Sequence, residues 1–398
     1  MSLAKITFVM ALAEILGLTS LATFPALLPL FINEWQLSNT EAGWINGFYF
    51  VGYLSVVPVL SSLTDRVSPR MIFTMGMAMS CISSLAFALY ADGFWTALIF
   101  RTLTGAGLAG IYMPGLKLLT DHLPGTNQSR YIAFYTASFG VGAALSYLLA
   151  GELNAAFNWQ WAFAIAAIGP AVGAIIVAFY LPKDAPYQEK VPDTHLLDFR
   201  PVFRCRLAMG YVLAYTAHNF ELFAFRSWMV AFLFYVQSTQ PDVNIGMTAT
   251  QLAAIINLSG LPASVLGNEL AVKIGRQRAI TLVMLTSALV ALSLGFMATL
   301  PFWTLFAVCI IYNMTILGDS GAVTAGVVGA APKGYKGATM AVHTCIGFTG
   351  SFLGPLAFGI ALDLVGGGAS VLSWGFAFGA VGLTTAIAGP LALVWARR

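Results

Sequence analysis

The chain carries few charged residues for its length. Only 9% of its 398 residues are Asp, Glu, Lys or Arg, whereas 59% are hydrophobic. A soluble domain carries about 25% charged residues, because its surface must be compatible with water. This shortage excludes an ordinary soluble protein. Most of the charges fall in short clusters between long apolar runs, a pattern typical of α-helical membrane proteins, in which each crossing needs roughly 20 apolar residues.

The sequence also has little that would support disulfides, metal sites or cofactors. Its four cysteines lie in or at the edge of apolar segments and indicate neither a disulfide framework nor a zinc site: Cys81, Cys205, Cys309 and Cys345. It contains no Walker loop, no Rossmann glycine fingerprint and no cluster of His, Cys and Glu ligands. We therefore expect no cofactor, no metal and no enzymatic activity. The net charge of +3 is too small to suggest nucleic-acid binding.

Apolar runs bounded by polar residues, glycine or proline can be counted along the chain. They are continuous rather than alternating, which excludes a membrane-spanning barrel and predicts helices. We count twelve: 6–32, 42–63, 70–90, 94–120, 131–153, 160–181, 206–236, 249–271, 279–299, 302–328, 338–362 and 370–395. The predicted fold class is an all-α membrane protein with twelve transmembrane helices.

The lysines and arginines between the runs predict the orientation. They cluster in every second loop and at both termini, and the alternate loops contain none: 33–41, 91–93, 154–159, 237–247, 300–301 and 363–369. Because cytoplasmic loops carry the excess of Lys and Arg, both termini are expected in the cytoplasm. We expect an integral multi-pass protein of a bacterial inner (plasma) membrane.

The two parts of the chain repeat each other at a shift of about 208 residues. This shift places Phe94-Trp95-Thr96 on Phe302-Trp303-Thr304, Pro124 on Pro332 and Gly142 on Gly350. We therefore predict two pseudo-symmetric six-helix bundles: an N-terminal half over 1–182, a cytoplasmic linker over 183–205 and a C-terminal half over 206–398. Duplicated halves of this kind place a substrate site between them, near the membrane midplane.

The loop after the second run carries a family signature. Residues 61–70, SSLTDRVSPR, resemble the G-x-x-x-D-R-x-G-R-R loop of the major facilitator superfamily, although Ser61 and Ser68 stand where that family usually has glycine. In the fourth run, the segment from Arg101 to Gly107 is similar to the family's R-x-x-x-G-x-G motif. The resemblance implies the twelve-helix fold and secondary active transport by alternating access. It also implies a cytoplasmic gate formed by Asp65, Arg66, Arg70 and Arg130.

Ionisable residues deep in the runs are functional candidates, because each costs on the order of 3 kcal/mol or more in the membrane. The candidates for proton coupling are Glu14, Glu221, Asp319 and His218. For Asp319 a fixed salt bridge to Arg226 or Arg101 is the alternative. Glu14 lies 51 residues before Asp65 and Glu221 lies 51 residues before Val272, which suggests matching positions in the two halves.

The cationic residues of the runs bear on the substrate. Because two arginines would repel a cationic ligand, we expect a small organic anion, bound by Arg101, Arg226, Asn219, Tyr135 and His343. Arg101 has a second interpretation, as a structural and proton-related arginine. The alternative function is proton-driven efflux of amphiphilic drugs or metabolites, with the acids neutralising the arginines. A third possible function is that of a membrane receptor that transports nothing. The expected partners are the small-molecule substrate, the coupling ion H+ and the lipid bilayer. We expect no nucleic-acid partner, and we expect the protein to be a monomer.

Overall fold

The computed structural model describes residues 2–63, 67–123, 128–181 and 198–397, except for the side chains of residues 61, 62 and 128–130. In this part of the chain the regular secondary structure is helical, without a strand. The continuous apolar runs explain this, because a helix satisfies every backbone hydrogen bond within its own segment.

Eight helices occupy the first six predicted runs. They are α1 (Leu3–Gly17), α2 (Thr23–Ala26), α3 (Leu28–Glu34), α4 (Asn39–Leu63), α5 (Pro69–Tyr90), α6 (Phe94–Thr120), α7 (Gln128–Ala156) and α8 (Trp159–Tyr180). The first run was predicted as one crossing and is divided into α1, α2 and α3. Its break after Gly17 holds Thr19, whose hydroxyl donates to the carbonyl of Ala166 at 2.7 Å.

The remaining helices, apart from the short helix α9, occupy the other six predicted runs. They are α9 (Arg200–Arg204), α10 (Arg206–Thr239), α11 (Ala249–Ile274), α12 (Arg276–Leu294), α13 (Phe302–Leu317), α14 (Ser320–Ala330), α15 (Lys336–Leu364) and α16 (Val371–Trp395). A 3₁₀ turn, Gly295–Thr299, extends α12. The short helix α9 falls inside the predicted linker 183–205, of which residues 183–197 lie outside the described part of the chain. The tenth run is divided into α13 and α14.

Ten of these helical spans are long and apolar enough to cross a membrane. The two other predicted runs are also helical. The first is the divided run α1–α3, and the seventh is the 34-residue helix α10, which carries Glu221 and Arg226 in its interior. The prediction of an all-α membrane protein is therefore confirmed.

The chain separates into two compact units. One contains Met1–Leu27 and Phe48–Thr194, and the other contains Leu28–Gly47 and His195–Arg398. In the first unit α1 packs against α6, α7 and α8. In the second unit α10 packs against α14, α15 and α16. These are corresponding helices of the two repeats, so the internal packing follows the duplication seen in the sequence.

Small residues allow close helix packing in the first unit. A Cβ atom added at Gly76 of α5 would lie 2.7 Å from the carbonyl oxygen of Gly107 and 2.8 Å from the Cα of Gly110 in α6. Helices in membranes associate through such small residues, because water does not drive their apolar side chains together there. The contact brings α6, which carries Arg101, close to α5.

Candidate functional site

A buried pair of ionisable side chains lies in the second unit. His218 of α10 places its Nδ1 2.6 Å from Oδ1 of Asp319, and each side chain is 2% exposed. Asp319 occupies the break between α13 and α14, directly before the first residue of α14. Discontinuous helices of this kind carry substrate and ion sites in transporters. His218 and Asp319 were both predicted site residues, and the structure brings them together.

A tyrosine connects this pair to the second predicted histidine. The ring of Tyr215 stacks on His218 with centroids 5.6 Å apart and lies 4.1 Å from the ring of His343. His343 of α15 is buried as well. The sequence analysis missed Tyr215, although its position three residues before His218 places both on one face of α10. The cluster of Tyr215, His218, Asp319 and His343 therefore joins α10, α15 and the break before α14.

Glu221 lies in a different environment from His218, although both belong to α10. Its Oε1 accepts a hydrogen bond from the Ser287 hydroxyl at 2.7 Å and another from the Tyr312 hydroxyl at 3.0 Å. Ser287 is on α12 and Tyr312 is on α13. Two donors on one oxygen hold this carboxyl group in place and connect three helices. Sequence reasoning had found neither donor.

The other predicted site residues of α10 are Asn219 and Arg226. Both are buried. Because they are seven residues apart, they lie about 20° from each other around the helix axis. The guanidinium carbon of Arg226 lies 5.7 Å from the centroid of the Phe223 ring. An amide and a cation thus share one face of α10 inside the second unit.

Arg101 in the first unit is held by backbone carbonyl groups. Its two terminal nitrogens donate to the carbonyl oxygens of Ser20 at 3.3 Å and Leu21 at 3.1 Å. Its guanidinium carbon also lies 4.3 Å from the centroid of the Tyr49 ring. These carbonyls belong to the break between α1 and α2, where helical hydrogen bonding is interrupted. The geometry thus supports the structural interpretation of Arg101.

Glu14 and Tyr135 lie together at the contact of α1 with α7, and both side chains are fully buried. Glu14 accepts a hydrogen bond from Ser138, a residue that sequence reasoning missed. Its other oxygen, Oε1, has no hydrogen-bond partner among the described residues. The Tyr135 hydroxyl donates to the carbonyl oxygens of Ile111 at 3.4 Å and Tyr112 at 3.3 Å. Glu14 and Glu221, suggested as matching positions, therefore have different partners.

Of the predicted cytoplasmic gate, only Arg70 can be described. Asp65, Arg66 and the Arg130 side chain lie outside the described residues. Arg70 donates to the carbonyl oxygen of Leu181 at 3.1 Å and to that of Ala178. A cation is favourable there, because the last carbonyls of a helix carry partial negative charge. Arg70 thus connects the beginning of α5 to the end of α8.

Two similar proteins are named as transporters. One is the probable sphingolipid transporter spinster homolog 1 of Arabidopsis thaliana, which is 23% identical over 49% of this chain and 46% of its own length. Another is the niacin transporter NiaP of Acinetobacter baylyi, which is 24% identical over 42% of this chain and 38% of its own length. The chain therefore spans less than half the length of these curated relatives.

A solved structure matches over nearly the whole chain. It is the crystal structure of a bacterial homolog of the human lysosomal transporter Spinster, with a TM-score of 0.81 over 99% of this chain and 97% of that chain. The sequence identity is 16%, so this similarity shows the fold alone.

The family model for the Major Facilitator Superfamily matches residues 9–355. This match covers most of the chain and confirms the resemblance seen in the signature loop. It also confirms the prediction that the protein is not an enzyme. The chain belongs to the Major Facilitator Superfamily.

Proposed function

We propose that the protein is a secondary active transporter that moves a small solute across the membrane by alternating access. Family membership and the names of the relatives support this proposal. Buried ionisable side chains in both units support it as well, because such groups are costly in a membrane and mark transport pathways. The proposed architecture has an N-terminal half over 1–182, a linker over 183–205, a C-terminal half over 206–398 and cytoplasmic termini.

The coupling ion in this proposal is H+, and the observation that carries it is the buried pair His218–Asp319. With His218 protonated, the two side chains form an ion pair. When the proton leaves, Asp319 keeps a buried charge without its counter-charge, which is costly. Proton binding therefore changes which conformation is favoured. Tyr215 and His343 face the pair. Glu14 and Glu221 remain the other candidate carriers.

The proposed substrate class is a small organic anion. Arg226 is the cation that we assign to it, since Arg101 donates to the Ser20 and Leu21 carbonyls. Asn219 on the same face of α10, with Tyr135 and His343, completes the proposed set of binding residues. The relative named for niacin, which is a carboxylic acid, supports this assignment.

A second candidate function is proton-driven efflux of amphiphilic compounds. The relative named as a probable sphingolipid transporter favours it, because sphingolipids are amphiphiles. In this alternative, the acidic residues neutralise the arginines. For either function, we propose Asp65, Arg66, Arg70 and Arg130 as the cytoplasmic gate, and a monomer in a bacterial inner membrane.

The substrate class can be tested with purified protein. Small carboxylates and lipophilic cations are compared by thermal shift, in the native protein and in Arg226→Gln. Arg204→Gln is the control, because Arg204 is exposed. We expect stabilisation by carboxylates, with affinity falling about tenfold or more in Arg226→Gln, since a charge-assisted hydrogen bond contributes about 1.5–3 kcal/mol. Stabilisation by lipophilic cations alone would reject the anion in favour of the second function.

Proton coupling can be tested with the protein reconstituted into lipid vesicles. A carboxylate that stabilises the protein is offered with and without an imposed proton gradient. We expect Asp319→Asn to lose gradient-driven accumulation and to retain exchange of the solute, while Asp242→Asn in an exposed loop behaves like the native protein. Accumulation that ignored the proton gradient and required sodium would contradict H+ coupling. The absence of any uptake would favour a receptor.

A further inference from the structure

Three arginines lie at one end of the second unit, where three of its helices meet. Arg206 is the first residue of α10, Arg276 is the first residue of α12, and Arg397 follows the end of α16. Helix α16 packs against both α10 and α12. Its contact with α10 is close, because a Cβ atom added at Gly210 would lie 3.0 Å from the carbonyl oxygen of Ala392. The packing of these helices therefore brings the three arginines to the same end.

Uncharged groups hold each of these arginines in place. The guanidinium carbon of Arg206 lies 5.9 Å from the centroid of the Trp395 ring. Arg397 donates from its Nε to Oε1 of Gln277, which follows Arg276 in α12. Arg276 itself donates from Nη1 to a backbone carbonyl oxygen of α14 at 3.3 Å. None of these contacts neutralises the positive charge of the arginine that makes it.

A tyrosine shows how closely two of the cations approach each other. The Tyr211 hydroxyl of α10 and the Gln277 amide are hydrogen-bonded to each other, and both Arg276 and Arg397 interact electrostatically with that hydroxyl. Tyr211 is buried. The tyrosine and the amide thus form the inner edge of the cluster, with positive charge on both sides of them.

The cluster has an excess of positive charge. In the described part of the chain, no carboxylate lies within ion-pair distance of Arg206, Arg276 or Arg397, whereas the nearby Arg200 pairs with Asp198 at 2.8 Å. Like charges held near one another repel, and the repulsion is stronger beside a low-dielectric membrane than in water. The positive ends of the α10 and α12 dipoles add to this potential. Binding of an anion would therefore relieve the repulsion.

The surface next to the cluster is apolar. Trp395 is 43% exposed, and Leu391 and Val394 on the preceding turn of α16 are 60% and 48% exposed. These three residues share one face of the helix. Tryptophan is typical of the level where a membrane meets water, and the basic loops are expected on the cytoplasmic side. Cations, an interfacial tryptophan and an apolar helix face thus follow one another, as the headgroup and chains of a phospholipid do.

We propose that this cluster binds one anionic phospholipid. The term lipid site denotes Arg206, Arg276, Gln277, Trp395 and Arg397. The guanidinium groups donate to the phosphate oxygens, which are strong acceptors for arginine. The acyl chains lie along the exposed apolar residues of α16. The charge of the site matches the anionic lipids that attract basic segments to the cytoplasmic leaflet. The bound lipid connects the ends of α10, α12 and α16.

The test measures lipid binding without any transported solute. A short-chain phosphatidylglycerol is titrated into the purified protein in neutral detergent, and the midpoint of thermal unfolding is recorded at each concentration. Phosphatidylcholine with the same chains and inorganic phosphate are titrated in parallel. We expect only phosphatidylglycerol to raise the midpoint, with saturation. Arg206→Gln and Arg397→Gln should each raise the half-saturating concentration about fivefold, because each basic residue near the surface contributes about 1 kcal/mol to attraction of anionic lipid.

Arg200→Gln is the matched control, because it removes the same charge from an exposed arginine that already has an acidic partner. Its half-saturating concentration should equal that of the native protein. Native mass spectrometry counts the bound lipid independently of stability. We expect one phosphatidylglycerol retained per chain in the native protein and in Arg200→Gln, and none in the double variant of Arg206 and Arg397.

Three results would overturn the lipid site. Equal weakening by Arg200→Gln would indicate attraction by the overall charge and no defined site. Stabilisation by inorganic phosphate as strong as that by the lipid would indicate a site for a soluble phosphate compound. Absence of stabilisation by phosphatidylglycerol would reject binding altogether. Because no transport is measured, these results are separate from failure of the proposed substrate or proton coupling.

Discussion

Glu221 illustrates how this chain stabilises polar groups within its apolar helices. Its side chain is 2% exposed, and one oxygen accepts from both Ser287 and Tyr312. Removing an acceptor leaves buried donors unsatisfied, which costs more than the lost hydrogen bond itself. The same principle applies to Arg101, whose donors satisfy two backbone carbonyls. Glu221 and Arg101, which the sequence indicates as functional candidates, thus also stabilise the fold.

We expect Glu221→Ala to lower the free energy of unfolding by about 2–6 kcal/mol, because each of the two orphaned buried donors costs about 1–3 kcal/mol. Glu221→Gln keeps an acceptor oxygen and should restore much of this loss. Unfolding of the purified protein in detergent measures both. Glu269→Ala on the exposed face of α11 is the control and should stay within about 0.5 kcal/mol of the native protein. Equal stability of Glu221→Ala and Glu269→Ala would contradict a structural task for Glu221.

Arg101→Lys separates a structural role from substrate binding. Lysine keeps the positive charge but lacks the planar fork that reaches both carbonyls and lies on Tyr49. We expect a loss of about 1.5–3 kcal/mol of stability, the contribution of a hydrogen bond to a charged group. Carboxylate affinity should change little. Native stability with abolished carboxylate binding would instead assign Arg101 to the substrate.

At the scale of elements, the apolar runs were predictable and the breaks within them were not. Hydropathy averaged over a whole run hides the interruption after Gly17, although Thr19, Ser20 and Pro25 were local signals for it. The break before Asp319 is similar, since glycine and aspartate at 318–319 interrupt an otherwise apolar run. To predict such a helix break, the helix-breaking and polar residues at one position must be given more weight than the mean hydropathy of the whole run.

The site was predictable only in part, for a physical reason. Membrane burial of Glu14, Arg101, His218, Glu221 and Asp319 follows from their place in long apolar runs, and all five are buried. Their partners do not follow, because hydrogen bonds such as Tyr312 to Glu221 join different runs whose packing a single sequence does not specify. Serines and tyrosines inside an apolar run also resemble ordinary packing residues, so they gave no separate signal.

The packing of α5 on α6 gives a prediction at the same scale. Gly76→Ala places a methyl group against the backbone of Gly107 and Gly110, which forces the helices apart. We expect a cost of about 1–3 kcal/mol, typical of overpacking. Gly379→Ala in α16 is the matched control, because its nearest contact would be at 3.8 Å. Thermal unfolding of the two variants should differ by several degrees, and identical midpoints would contradict tight packing at Gly76.

At the scale of the whole molecule, the distribution of Lys and Arg predicts which loops share a side. In a background without the native cysteines, Asn244→Cys and Lys333→Cys place single exposed thiols in two described loops. We expect an impermeant thiol reagent to label residue 244 in intact cells and residue 333 only after permeabilisation, because basic loops stay in the cytoplasm. Labelling of both from the same side would overturn the predicted orientation.

The break after α1 also has a consequence for how the chain is assembled. The polar groups of this break form hydrogen bonds with residues that are synthesised much later. Arg101 donates to the carbonyls of Ser20 and Leu21. Ser146 donates to the carbonyl of Thr19, and the Thr19 hydroxyl donates to the carbonyl of Ala166. Since synthesis proceeds from the N-terminus, the first run enters the bilayer before these partners exist, and exposed backbone groups there cost several kcal/mol each. We therefore expect the nascent first run to complete its hydrogen bonding only when the fourth, fifth and sixth runs have joined it, which predicts that these runs, and not the single helix, form the unit of assembly.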